Sequence, residues 1–203
     1  MNGLSVEVAV LLGVADELLI QRVVSHVLAA SVAGRLPALA WHEGLAPAQR
    51  QAVHTRWPLA CAVWEDIGAP VPPSAADPAE LLLPLRHLLL AHRARTGEPA
   101  FVVLANVLAC ACFGSHHLWQ DLGAAGRADV SRLMQVAFPG LHDSNIHNLR
   151  WKRHLFMQLG DLLGRDGLRP PKCGDCGDYA VCFGVVEPAA TPAARTWPLT
   201  PSR

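Results

Sequence analysis

No apolar run in this chain is long enough to cross a bilayer. A span needs about 20 largely apolar residues. Glu7, Asp16 and Glu17 break the first candidate, and FVVLANVLACACFG is too short. The N-terminus, MNGLSVEVAVLLGVADELL, has neither the basic start nor the small-residue cleavage pattern of a secretory signal. A surplus of charge is missing as well, because seventeen basic residues balance seventeen acidic ones. No long-range field would steer the chain to nucleic acid or to a membrane surface, and neither partner is expected. No stretch alternates apolar and polar residues long enough to mark a strand, and no repeat recurs. The chain also lacks a P-loop, a dinucleotide fingerprint and a nucleophile motif, so its residues do not announce an enzyme. A cytoplasmic location is expected, where thiols stay reduced and clustered cysteines bind metal more often than they pair.

What is present reads as helix. Hydrophobic residues make up 51% and charged residues 17%, a balance that suits a compact chain with a core. Residues 6–33 carry Ala, Leu and Val at helical spacing. A second helix fits 47–67, opened by Pro47 and stopped by Gly68 and Pro70, with PVPPSAADP as a stiff connector after it. A third fits 78–95, where Pro84 kinks the helix or marks its true start. Residues 100–113 are apolar on every side, which predicts a buried central helix. SHHLWQDLG makes a short helical turn, and another helix covers 127–138. The clearest surface helix is expected over 143–164, with Asp143 or Ser144 as cap and Gly164 or Gly167 as stop. The expected architecture is therefore all-α. It is a single multi-helix domain over residues 1–184 that ends in a cysteine-rich metal-binding loop at 168–184, followed by a flexible tail over 185–203.

Three of the six cysteines crowd into that loop, in KCGDCGDYAVCFG. Cys173 and Cys176 form a C-x2-C turn that can bring two thiolates to one ion or cluster, and Cys182 follows shortly after. The flanking glycines let backbone N–H groups turn toward the sulfurs. Tyr179 and Phe183 could shield such a site from water. Packing of three free thiols as small hydrophobes is a poor alternative in a loop of Gly, Asp and Lys. Structural zinc is a better one, but it usually takes two C-x2-C halves and only one is here. A redox C-x-x-C needs a βαβ context that the chain lacks. Three thiolates suit an iron–sulfur cluster with one corner left open.

LACACFGSHHLWQDLG, NIHNLRWKRHLFMQLG and CGDCGDYAVCFG, in that order, resemble the NifQ family of molybdenum-handling proteins in nitrogenase cofactor assembly. The resemblance is strong over residues 100–184 and loose in the helices before them. It implies an iron–sulfur cluster that takes up molybdenum and donates it toward the cofactor scaffold, with dinitrogenase reductase as a second partner. It further implies a carrier rather than an enzyme. The family motif C-x4-C-x2-C-x5-C places its last three cysteines on Cys173, Cys176 and Cys182. Its first position falls on Leu168, which cannot ligate.

Either three thiolates suffice to hold the cluster or a remote side chain supplies a fourth ligand. Cys110 and Cys112 point about 200° apart on a helix and cannot both face one site; they and Cys61 read as core. His117 and Asp121 are four apart, so Asp121 could orient a ligating imidazole, and His117 is the best candidate for an extra ligand. His116 reads as structural. His147 and His154 are expected on one surface face, with His142 ahead of it. In RWKRH, the cations Arg150, Lys152 and Arg153 form a basic stripe. They make either a solvated face or a patch for an acidic partner or an oxyanion, while Trp151 is a packing anchor. The competing reading is a zinc-stabilised helical interaction module without cluster chemistry.

Overall fold

The computed structural model describes residues 13–37, 42–58, 60, 61 and 79–184. The expected 185–203 tail, the PVPPSAADP connector, and the ends of the first two expected helices at 6–12 and 62–67 lie outside the described residues. The described residues are helical and contain no strand, as expected. In order they form α1 (Val14–Val32), α2 (Pro47–Arg56), α3 (Ala79–Ala91) and α4 (Pro99–Ala111). There follow α5 (Leu118–Asp121), α6 (Arg127–Ala137), α7 (Pro139–Ser144) and α8 (Trp151–Leu163). A 3-10 turn (Cys173–Asp175) and α9 (Tyr179–Phe183) follow. None of the described helices is long and apolar enough to cross a membrane.

The central helix is α4, and every residue from Ala100 to Ala111 in it is buried. Helices α1, α2 and α3 pack against it, and α8 packs on α3. Side chains such as Leu104 and Leu108, with no exposed surface, each contribute about 1.5–3 kcal/mol by leaving water. Glu98 starts the helix by accepting from the Ala100 N–H at 3.1 Å, with Pro99 in the first turn. Glu98 also accepts from Arg56 at 2.9 Å, and Arg56 grips Glu17 at 2.5 and 2.7 Å, so one guanidinium ties α2 to α1 and α4.

Several boundaries differ from the sequence reading, each for a local reason. Helix α2 stops at Trp57 because the next residue is Pro58, which disfavours helical geometry in the residue before it. Pro84 sits inside α3, five residues past its start, so it does not mark the helix beginning. The surface helix expected over 143–164 is broken. The Asn145 side chain accepts from the Leu149 N–H at 2.8 Å and donates to the Leu149 carbonyl at 3.0 Å. Asn148 takes the left-handed conformation at φ 50°. These polar side chains bond their own backbone in place of the helix, and α8 begins only after Arg150. Gly164 ends it in the left-handed conformation, at one of the two expected stops.

Candidate metal centre

Three walls enclose one cleft of about 730 Å³, its open mouth included. The first wall is the turn after α4. Here the chain passes Gly114 so close to Asp121 that a Cβ would stand 2.3 Å from the carboxylate. Asp121 is buried and accepts from the His116 N–H at 3.2 Å and from Lys152 at 2.5 Å. Lys152 reaches in from α8 and is also buried. Its ammonium donates to the carbonyls of Gly114 at 2.9 Å and His116 at 2.7 Å besides Asp121. Three protons meet three acceptors, which is the condition under which a lysine can be buried charged.

The second wall is the entry to α8, with Arg150, Trp151, Lys152 and Arg153 facing the cleft. The third is the cysteine-rich segment. It is more ordered than a loop: Cys173 opens the 3-10 turn, the Cys176 N–H donates to the Cys173 carbonyl at 3.1 Å, and Cys182 lies in α9. Two arginines hold α9 in place. Arg153 donates to the Cys182 carbonyl and lies 5.2 Å from the Phe183 ring centre. Arg169 donates to the Tyr179 hydroxyl and stands 5.0 Å from the Phe183 ring centre. Asp178 joins the three walls: its Oδ2 is 2.9 Å from His117 Nε2 and 3.0 Å from an Arg150 nitrogen.

Cys173, Cys176, Cys182 and His117 all line this cleft. Burial raises the pKa of the Cys173 thiol; Lys152 opposes the shift and the other two thiols add to it. Burial likewise raises Cys182, with Arg150 and Arg153 opposing. The three sulfurs thus sense one another across one cavity floored by cations, a donor set that fits an anionic metal–sulfur group. They stand around the cleft rather than at one point. Among the described residues no three His, Cys, Asp or Glu side chains meet at single-ion spacing.

A model of the NifQ family matches residues 23–184. The chain belongs to the NifQ family. A NifQ homolog of Sinorhizobium fredii is 37% identical over 123 residues, covering 60% of this chain and 52% of its own. NifQ of Azotobacter vinelandii is 39% identical over 101 residues, 50% of this chain and 51% of its own. NifQ of Klebsiella pneumoniae is 36% identical over 85 residues, 39% of this chain and 48% of its own. The chain therefore spans about half the length of these curated relatives. No solved structure matches it.

Within this NifQ chain, several expectations about the site change. His117 does not pair with Asp121; it precedes α5, and its imidazole turns to Asp178, while His116 Nδ1 is the ring atom near Asp121, at 3.3 Å. The basic stripe is divided: Lys152 is buried under the first wall, while Arg150 and Arg153 line the cleft and stay half-buried. His154 is fully buried rather than on a surface face, and His147 lies in the turn before α8. Cys61, Cys110 and Cys112 are core residues, as expected. Burial pushes the Cys112 thiol up to about 12, which keeps it protonated and a poor thiolate donor. Leu168, at the family's first cysteine position, packs on the core, and a Cβ on Gly160 would come 3.1 Å from its own Cβ. The residue that sequence reasoning passed over is Asp178. Its signal was the doubled C-G-D of CGDCGD, which repeats an acid two positions after each thiol.

Proposed function

We propose that this chain is a cytoplasmic carrier that holds an iron–sulfur cluster on Cys173, Cys176 and Cys182, accepts molybdenum onto it, and donates the metal to nitrogenase cofactor assembly. The observation that carries the reading is the convergence of the three thiols on a cleft whose other walls present Lys152, Arg150 and Arg153. Thiolates and inorganic sulfide load negative charge into a partly desolvated space, and these fixed cations offset it. Membership of the NifQ family supports the molybdenum assignment. The cluster supplies a sulfur-rich surface on which a heavier metal can be exchanged. The chain supplies the rest: a turn that carries Cys173 and Cys176, a helix that returns Cys182, and the Phe183 ring in the cleft lining that limits water.

The proposed carrier turns nothing over and so calls for no nucleophile or general base. The cofactor scaffold and dinitrogenase reductase are the partners we propose. Anaerobic reconstitution with iron, sulfide and molybdate, followed by metal and sulfide analysis and EPR, tests the reading. Several irons with acid-labile sulfide and retained molybdenum support it. A colourless chain carrying one zinc would replace it with the zinc-stapled interaction module.

A further inference from the structure

We propose that Arg153 is the positioning residue for the third thiol. By bonding the Cys182 carbonyl and lying on the Phe183 ring, it holds Cys182 at the cleft from outside the turn that carries Cys173 and Cys176. The inference rests on the carrier reading. It singles out Cys182 as the donor whose hold can be loosened without disturbing the other two.

The thiols are secured in two different ways. A run of backbone bonds starts at Pro170, which is buried. The Cys173 N–H donates to the Pro170 carbonyl at 3.2 Å, Cys176 to Cys173 at 3.1 Å, and Tyr179 to Cys176 at 2.9 Å. Cys182 lies beyond that run, in α9, a helix of five residues that buries none of them. Isolated helices shorter than about 12–15 residues are marginal in water, so one this short needs contacts from outside. No apolar face of α9 is sunk in the core to supply them.

What α9 has is a set of rings and guanidinium groups. Tyr179 and Phe183, one helical turn apart, have ring centres 5.0 Å apart. Arg169 donates to the Tyr179 hydroxyl and stands 5.6 and 5.0 Å from the two ring centres. Arg169 belongs to the same segment, so it stiffens the segment without tying it to the body of the protein. Arg153 makes that tie, with its guanidinium 5.2 Å from the Phe183 ring centre and a hydrogen bond to the Cys182 carbonyl. A planar guanidinium suits both tasks, since it can lie on a ring and still donate along its edge. Its base is firm, because Lys152, His154, Leu155 and Phe156 around it in α8 are all buried. Asp178, 3.0 Å from Arg150, ties down the residue before α9. The last turn, with Cys182 and Phe183, is left to Arg153.

Alkylation of individual cysteines by iodoacetamide, read by mass spectrometry on the reduced, metal-free chain at one fixed pH, tests the assignment. Two effects of removing Arg153 have opposite signs there. Loss of a cation beside a thiol disfavours the thiolate and slows alkylation, whereas loss of a clamp exposes the thiol and speeds it. In Arg153→Ala, Cys182 should react at least about tenfold faster than in the native chain, the factor that goes with losing one charge-assisted hydrogen bond. Phe183→Leu, which keeps the arginine, should also speed Cys182. In both variants Cys173 should keep its native rate and the urea midpoint should stay native. After reconstitution with iron and sulfide, Arg153→Ala should lose iron to a chelator at least about tenfold faster than the native chain. A Cys182 rate that is unchanged or slower in Arg153→Ala overturns the inference. So does a rise shared by the core thiols Cys61, Cys110 and Cys112, which would mark a general loss of fold. A native chain that takes up no iron ends the carrier reading, while the alkylation rates still decide what holds Cys182.

Discussion

The ammonium of Lys152 stands 2.5 Å from Oδ2 of Asp121, and both side chains are almost sealed from water. The pair joins α8 to α5 and so sets two walls of the cleft against each other. Removing one partner strands the other charge, at a cost of about 3–5 kcal/mol. Lys152→Met should lower the urea unfolding free energy by about that amount. Replacing both residues by apolar side chains should recover a large part of the loss, because no buried charge is then left alone. A Lys152→Met variant as stable as the native chain would show that the pair is not buried as described.

Gly114 belongs to the same knot. A methyl group there would lie 2.3–2.5 Å from the three carboxylate atoms of Asp121, so the acid must move. Gly114→Ala should cost about 1–3 kcal/mol by overpacking. Its effect should not add to that of Lys152→Met, since both disturb one contact. A double-mutant cycle with a coupling energy near zero would contradict this.

His154 gives the fold a pH response. Burial lowers its pKa below the usual 6.5, and its Nε2 lies 3.1 Å from both the Leu141 carbonyl and the Ser144 hydroxyl. The folded chain keeps the ring neutral, whereas the unfolded chain takes up a proton near 6.5. This contribution to stability is fully present above that pH and falls as pH drops from it toward the folded value. Urea midpoints measured from pH 7.5 to 5.5 should therefore decline more steeply in the native chain than in His154→Gln. Equal slopes would remove His154 from the account.

Leu168 packs on the core rather than facing the cleft. Restoring the family's cysteine there, by Leu168→Cys, should therefore leave the rate of iron loss on dilution unchanged. A markedly slower loss would mean that position 168 swings into the cleft when metal is bound.

The central helix was legible because residues 100–113 are apolar on every face, and only complete burial accommodates such a segment. Spacing also placed Cys173, Cys176 and Cys182 in one short segment, and all three line one cleft. What escaped were contacts made by residues distant in sequence. Lys152 lies within a run of charges that looks solvated, and only the acceptors on Gly114, His116 and Asp121 make its burial possible. His117 and Asp121 have helical spacing, but His117 sits just before the helix, so periodicity paired it with the wrong acid. The break at 145–150 follows from side-chain bonds of Asn145 that compete with the helix, a choice that a period count does not see.

The most direct measurement is the metal content of the anaerobically reconstituted native chain beside a Cys173→Ser/Cys176→Ser/Cys182→Ser variant of matching helix content by circular dichroism. The account predicts iron, acid-labile sulfide and, when molybdate is supplied, molybdenum on the native chain, and essentially none of them on the variant. Equal iron and molybdenum on both would contradict it, because the metal would then be held by something other than these three sulfurs.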